Sequence, residues 1–589
     1  MAPQLKHDVE ALTKERSESW SVTDERYPPP TDEERATLRK VAERLPWIAY
    51  TLCIVEFAER ASYYGASQIF NNFMEFPLPK DGNGAGAPPA GTEETAGALG
   101  KGLQFSNAFV LLFQFLAYAF PILGAWIGDA RTGRYNAVAI GVVICGVAHV
   151  IMIGGAAPSL LQAGHGAAPF IISLLLLAFG AGIFKPSILP IVLDQYQHQR
   201  EYVKVLKSGE KVLVDPETTI QRITLLFYAF VNIGAFFAIA TTYAEKRVGY
   251  WLAFLLPGIV YFLLPLVMLL TYKKTIRYPP KGSELTNVFK IIGLAIKRNK
   301  GKVWGKGFWE RVKPSVLARE GITVEWTDKL VDDTRRTMVA CMMFLYWPIW
   351  YLNDGGIGSV STNQGAAMTT AGAPNDLLNN FNPLTIIVFA PFLSHVVYPT
   401  LNKMGIKFGR VNRCVTGFTL AWISGVIGAI IQWRVYVTSP CGYQASTCTV
   451  GTGVSPLSIW TQIPNYSLGA MSECFVMVTG YEIAYARSPP NMKALVMAIF
   501  LFMNALSAAL GEILTPAIID PHLIWVWAGP AIALAAQTAI FWWKYRWMNS
   551  DEFMTIEEVE EAERQRSVTA REDSVAHTDE KKAFDDKSS

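Results

Sequence analysis

The chain has few charged residues for its length. Asp, Glu, Lys and Arg make up 17% of its 589 residues, whereas an average soluble domain has roughly 25%. Apolar residues reach 51%, and a soluble protein of this composition would expose apolar patches that promote aggregation. The net charge is only +3, so we expect no broad basic surface and no nucleic-acid partner. The composition predicts an all-α protein of the lipid bilayer.

Several motifs of enzymes and cofactor proteins are also absent. The seven cysteines contain no CxxC pair, which argues against a zinc or redox framework. The GxxxxGK[ST] phosphate loop does not occur, so we do not expect ATP to be the energy source. No nucleophile–base or metal-ligand constellation lies in a loop. We therefore expect neither an enzyme nor a bound cofactor.

Long apolar runs are abundant, and about 20 apolar residues suffice to cross a bilayer as a helix. Twelve such runs occur. They lie at 47–70, 103–127, 136–157, 168–193, 221–244, 250–271, 337–356, 383–401, 412–433, 457–484, 493–517 and 523–547.

The distribution of Lys and Arg predicts the orientation of these spans. An even number of spans puts both tails on one side. With cytoplasmic tails, thirteen Lys and Arg residues fall in the short inner loops and five in the outer loops, as the positive-inside rule requires. The thirteen include Arg200, Lys407 and Arg487.

The predicted organisation is two six-helix bundles between polar segments. We expect a disordered N-tail at 1–46, a first bundle at 47–271, a cytoplasmic linker at 272–336, a second bundle at 337–547 and a disordered C-tail at 548–589. Gly133-Arg134-Tyr135-Asn136 after the second span matches Gly409-Arg410-Val411-Asn412 after the eighth. This repeat favours a duplicated, major facilitator architecture with a central substrate cavity.

The first span carries charges that the bilayer disfavours. Glu56, Glu59, Arg60, Tyr63 and Tyr64 have the spacing of one helix face. Each charge at the bilayer centre costs about 2.5–3.5 kcal/mol on insertion scales. Two acids beside one base leave a carboxylate that can take a proton. The alternative is an internal Glu–Arg pair that only orders the helix.

Other spans add polar residues at membrane depth. The fourth has Lys185 before Pro186, the fifth Asn232, the seventh Asp354 and the tenth Glu473. Fixed charges of both signs suit a zwitterionic ligand, and surplus acids suit proton coupling. Lys185 could instead extend to the membrane interface, although about 17 mainly apolar residues precede it.

Cys441 and Cys448 share a polar loop that we assign to the outer side. An oxidising compartment favours a disulfide between them. Two free thiols are the alternative.

Five ordered motifs resemble the proton-coupled oligopeptide transporters, the POT or PTR family of the major facilitator superfamily. The first-span sequence Glu56-Phe-Ala-Glu59-Arg60-Ala-Ser-Tyr63-Tyr64-Gly65 is similar to the family's ExxER…YYG signature. Four further segments resemble the family's later signatures: Gly124 to Arg134, Lys185-Pro186 with Asp194-Gln195-Tyr196, Phe227 to Gly234, and Ile463 through Glu473 to Tyr485. The tails and the central loop look like those of fungal members.

The resemblance implies a role for each residue. Arg60 and Lys185 would hold a peptide carboxylate, and Tyr63, Tyr64 and Asn232 would line the same pocket. Glu473 would bind the peptide amino group. Glu56, Glu59 and Arg60 would belong to the proton relay, together with Asp354 as a gating partner of Lys185.

The sequence therefore predicts a monomeric, proton-driven symporter of di- and tripeptides in the plasma membrane. One alternative keeps the fold but carries another cargo, such as a secondary metabolite, nitrate or an amino acid. Another is a nutrient sensor that binds its ligand without useful flux.

Overall fold

The first half of the chain forms one helical bundle. The computed structural model describes residues 30–196, 201–280, 284–302, 307–404, 408–486 and 493–546. The first-half helices are α1 (Asp32–Thr37), α2 (Trp47–Ser67), α3 (Phe70–Glu75), α4 (Leu103–Ile127), α5 (Arg134–Gly155), α6 (Pro158–Gln162), α7 (Ala167–Asp194), α8 (Pro216–Ala235), α9 (Phe237–Arg247), α10 (Tyr250–Phe262) and α11 (Leu264–Thr271).

The second half forms a second bundle after a helical linker. Its helices, with those of the linker, are α12 (Glu284–Arg298), α13 (Pro314–Leu317), α14 (Asp328–Cys341), α15 (Trp347–Tyr351), α16 (Val360–Ala366), α17 (Phe381–Phe392), α18 (Tyr398–Lys403), α19 (Arg410–Thr438), α20 (Ile463–Ala486), α21 (Lys493–Leu514) and α22 (Leu523–Tyr545). Short π-helical turns follow α4 and α17.

Each bundle has its own aromatic core. In the first, the ring centroids of Phe73 and Phe170 are 4.5 Å apart, and Phe254 packs on both rings. In the second, the buried Trp347 ring contacts Phe500 and Phe541 edge-on. Such edge-to-face contacts add to the dispersion energy of packing.

Within the described residues, nine helical segments are long and apolar enough to cross a membrane. They are Leu103–Thr132, Arg134–Gly155, Ala167–Asp194, Arg222–Arg247, Tyr250–Thr271, Leu377–Val397, Arg410–Thr438, Val496–Ala517 and Leu523–Tyr545. The first predicted span is α2, with three charged residues on its buried side. The seventh is divided at Met342 and after Tyr351. The tenth predicted span is the 24-residue helix α20.

The prediction of disorder for 1–46 is wrong for its last part. Helix α1 has a Thr31–Glu34 capping box, and β1 (Lys40–Val41) pairs in parallel with β3 (Lys211–Val214), which pairs with β2 (Tyr202–Val205). Ion pairs join this segment to the hairpin, such as Arg39 with Glu210 at 3.1 Å. Residues 1–29 and the predicted tail at 548–589 lie outside the described residues, as do Arg200, Lys407 and Arg487.

The predicted linker at 272–336 is folded. Its helices enclose a small core around Val312, Leu317 and Trp326. The Trp126 indole of α4 donates a hydrogen bond to the Thr286 hydroxyl at 3.1 Å, which ties the linker to the first bundle. Helix α14 begins in the linker and continues into the seventh span. The helix therefore runs across residue 336, the predicted end of the linker.

The loop between α19 and β5 (Ser455–Ser458) contains a disulfide between Cys441 and Cys448, with Cα atoms 5.5 Å apart. Within this loop the Ser446 amide donates to Asp520 at 2.8 Å, and its hydroxyl donates to Asn363 at 3.1 Å. The loop is therefore fastened to the second bundle at several points.

A thiol-labelling experiment tests this pairing. We expect a maleimide to leave Cys441 and Cys448 unmodified in purified, unreduced protein, because a disulfide has no thiolate to react. Mass spectrometry of the loop peptide measures the label. A Cys441→Ser variant is the control, since it frees the Cys448 thiol. Modification of both wild-type cysteines without reductant would contradict the pairing.

Candidate functional site

The charged face of α2 forms a buried cluster around Arg60. Its guanidinium Nε lies 3.0 Å from Glu56 Oε1, and the same group forms an ion pair with Glu59. Arg60, Glu56 and Glu59 are only 7%, 4% and 2% exposed. A buried arginine requires such partners, because removal of one leaves an uncompensated charge that costs about 3–5 kcal/mol.

Tyr63 joins this cluster to a second cation. Its ring centroid lies 5.3 Å from the Arg60 guanidinium carbon and 3.8 Å from Lys185 Nζ. Both distances fall within the range of cation–π attraction. Lys185 comes from α7, where Pro186 and Pro190 lie inside the helix. The structure therefore brings the two predicted cations to one aromatic ring.

A cavity of about 520 Å³ lies between the two bundles. The first bundle contributes Tyr64, Tyr118 and Asn232 to its wall, and the second contributes Asp354 and Glu473. Arg60, Tyr63 and Lys185 do not line it in this conformation. Tyr64, whose ring centroid is 6.0 Å from the Arg60 guanidinium carbon, is the member of the α2 face that does.

Asp354 lies in a break of the seventh span. Helix α15 ends at Tyr351, and Gly355 and Gly356 adopt φ values of 78° and 89°, which favour glycine. This turn brings the Asp354 carboxyl into contact with the Glu473 carboxyl of α20. The absence of a side chain at Gly469 permits this approach, because a Cβ atom added there would lie only 3.0 Å from Asp354 Oδ1.

The predicted pairing of Asp354 with Lys185 is not present. Among the described residues, the charged neighbours of Lys185 are Arg60, Glu59 and Glu56. Asp354 lies instead beside α20 of its own bundle, where its ionisable partner is another acid, Glu473.

Two polar contacts of the cavity were not foreseen from the sequence. Asn382 at the start of α17 donates a hydrogen bond to Glu473 Oε1 at 2.5 Å, and Gln114 of α4 donates to Asn504 of α21 at 2.7 Å. Gln114 and Asn504 are polar interruptions of apolar runs, whereas Asn382 lies one residue before the predicted run at 383–401. The rule that identified Lys185 would therefore have identified Gln114 and Asn504 as well.

The site thus separates charge across the interface between the bundles. Cations and their acid partners lie beside the first-bundle wall, and two carboxyls lie at the second-bundle wall. Such a cavity can hold a ligand with a negative and a positive end. In the part of the chain that the structure describes, no three His, Cys, Asp or Glu residues are grouped to bind a metal.

The sequence matches the family described as "PTR2: POT family" over residues 135–526. Among curated proteins, it is 42% identical over 558 residues to the peptide transporter PTR2 of Candida albicans, covering 91% of this chain and 89% of that protein. It is 58% identical over 533 residues to the MFS-type transporter ucsM of an Acremonium species, covering 90% and 88%.

Solved structures have the same fold. The in meso crystal structure of the POT family transporter PepTSo superimposes with a TM-score of 0.62 at 21% identity, covering 86% of this chain and 100% of that one. A POT family transporter in complex with 5-aminolevulinic acid gives a TM-score of 0.61 at 19% identity, covering 86% and 97%.

Proposed function

Since this chain belongs to the POT family, we propose that it is a proton-coupled symporter that imports di- and tripeptides by alternating access. The observation that carries this proposal is the separation of charge between the two bundles. Arg60 and Lys185 belong to the first bundle, and Glu473 belongs to the second. A peptide is a zwitterion of matching polarity. It would bridge the bundles and link its own binding to their relative movement.

The peptide carboxylate is assigned to Arg60 and Lys185. Tyr64 stands between Arg60 and the cavity, so this side chain has to move when the carboxylate binds. Tyr63 and Asn232 complete the same end of the pocket. At the other end, Glu473 receives the ammonium group, and the hydrogen bond from Asn382 orients it.

Proton coupling follows from the charge balance of the α2 cluster. Glu56 and Glu59 balance Arg60 and Lys185 while the pocket is empty. A peptide carboxylate adds a third negative charge in a buried site, where an unbalanced charge is costly. Protonation of Glu56 or Glu59 restores the balance and frees the cations for the peptide.

The location and orientation of the protein in the cell determine which proton gradient it can use. We place the protein in the plasma membrane as a monomer, and the distribution of Lys and Arg supports a topology with both tails in the cytoplasm. The inward proton gradient then supplies the work, and each charge moved contributes about 2.3 kcal/mol per 100 mV.

A second candidate is the same fold with another cargo. The observation that favours it is the 58% identity to a relative named only as an MFS-type transporter, against 42% to a relative named as a peptide transporter. Under this candidate, common dipeptides neither enter nor compete.

Neutralising one acid of the α2 cluster tests the proton relay. We expect Glu56→Gln or Glu59→Gln to abolish uphill, pH-driven uptake while some peptide exchange remains, because a glutamine cannot carry a proton through the cycle. Uptake and exchange are measured in proteoliposomes with a labelled dipeptide. Glu512→Gln in α21 is a matched control, since this glutamate is exposed and lies outside the cluster, and it should behave like wild type. If both cluster variants accumulate the dipeptide as fully as wild type, Glu56 and Glu59 do not form the proton relay.

Blocking the peptide amino group tests its contact with Glu473. Acetylation should weaken binding to wild type by more than tenfold, because the loss of one charged hydrogen bond costs about 1.5–3 kcal/mol. In Glu473→Gln the difference between free and acetylated peptide should largely disappear, whereas Glu512→Gln should keep it. Competition against a labelled dipeptide measures both affinities. If wild type binds both peptides alike, the orientation is wrong and the second candidate gains support.

A further inference from the structure

One side of the interface between the bundles is closed by hydrogen bonds. We call this the far side, the end at which α2 finishes at Ser67. Asn72 and Asn375 exchange hydrogen bonds at 2.8 and 3.0 Å. Gln68 donates to the Asp376 carbonyl at 2.6 Å, and Asn363 donates to Glu75. Each contact joins a first-bundle residue to a second-bundle residue.

Two acids meet at the centre of this closed interface. Glu245 lies in α9, one residue beyond the fifth predicted span, and Asp376 comes from the second bundle, shortly before α17. Their carboxyl groups face each other, and the residues are 1% and 0% exposed. Neither belongs to the cavity or to the α2 cluster described above.

The surroundings supply few donors to the pair. Asn72 Nδ2 donates to Glu245 Oε1 at 2.9 Å. Among the described residues, no N–H group donates to Glu245 Oε2 or to either side-chain oxygen of Asp376. The hydroxyl of Tyr250 faces Glu245, and Tyr466 is the titratable neighbour of Asp376 within the second bundle.

The pair also lacks sufficient positive charge. Lys246 is its cationic neighbour in the described structure, and its ammonium also reaches the Glu94 carbonyl at 3.5 Å. Lys246 is shared with a third acid, Glu93. Burial raises the pKa of Glu93, but hydrogen bonds from the Thr370 hydroxyl and amide, both 2.7 Å, outweigh it and hold that pKa below its ordinary value. Ionised Glu93 therefore takes part of the Lys246 charge.

Two ionised carboxylates that face each other in a buried site, with only part of one cation nearby, repel each other strongly. A single proton between them replaces this repulsion with a hydrogen bond and satisfies two of the three oxygens that lack a donor. A proton at this position therefore stabilises the closed far side. Once the bundles separate on this side, water can solvate both groups and the proton can leave.

We propose that Glu245 and Asp376 form a proton-binding latch, which holds the far side closed when the two carboxyls share a proton and opens it when the proton is lost. The latch rests on the alternating-access part of the proposed function, but it does not depend on the cargo. If the far side faces the cell exterior, external acid favours closure behind a loaded substrate. It would be a proton site additional to Glu56 and Glu59.

Distance measurements between spin labels on the two bundles test the latch. Lys80→Cys and Ser458→Cys provide exposed far-side positions in the first and second bundles, and the five free native cysteines are buried. Without any substrate or gradient, we expect one short distance at low pH. A longer distance should gain population as the pH rises, since one linked proton changes the closed-to-open ratio by at most about tenfold per pH unit.

Substitutions in the pair separate a latch from a general effect of pH. In Glu245→Gln the amide donates to Asp376 without a titrating proton, so the short distance should persist at alkaline pH. Asp376→Asn should behave in the same way, which keeps the test intact if one variant fails to fold. Glu94→Gln, an exposed acid on the same side, should titrate like wild type.

Two results would overturn the proposal. One is a wild-type distance distribution that does not change with pH. The other is a Glu245→Gln or Asp376→Asn variant that titrates as wild type does. Because no peptide is present, either failure leaves the peptide-transport proposal standing, and failure of peptide transport leaves the latch standing.

Discussion

A charge inside a helical bundle needs a partner, and the arrangement of this protein's site depends on how Arg60 satisfies that need. Glu56 and Glu59 lie one turn and one residue before it on α2, and both contact it. Tyr63 follows Arg60 on the same helix face, and its ring lies close to both Arg60 and Lys185. The α2 face is thereby linked to α7, and the cations of the first bundle are held close to the cavity.

The acids at the cavity wall of the second bundle are not paired with a base in the way that Glu56 and Glu59 are. Asp354 and Glu473 contact each other rather than a base, and Asn382 is the donor that holds Glu473. Asp354 reaches this wall directly before the break at Gly355 and Gly356, and it lines the cavity together with Glu473. The difference between the two walls gives the cavity its polarity, and that polarity is what suits a peptide.

Periodicity and composition predicted the parts of the site that lie on single helices. Glu56, Glu59, Arg60, Tyr63 and Tyr64 share a face because a helix repeats every 3.6 residues. Lys185 was recognisable because few charges occur within spans. The predicted fold class is also confirmed, since the chain matches the POT family and superimposes on its structures.

Features that depend on the packing of distant segments were not predictable in this way. The pairing of β1 with β3 involves a two-residue strand, which carries no periodic signal. Glu245 lies one residue beyond the predicted fifth span, where a charge would ordinarily be solvated, so nothing in the sequence indicates its burial against Asp376. The contact of Asp354 with Glu473 likewise depends on a backbone turn and on the absence of a side chain at Gly469.

The central claim is that a proton gradient drives peptide across this protein, and uptake of a labelled dipeptide into proteoliposomes with an acidic exterior measures it most directly. The account predicts that peptide accumulates inside above its external concentration, and that a protonophore abolishes the accumulation but not the equilibration. Entry that never exceeds the external concentration would contradict proton coupling. Absence of any entry by di- or tripeptides would contradict the cargo as well.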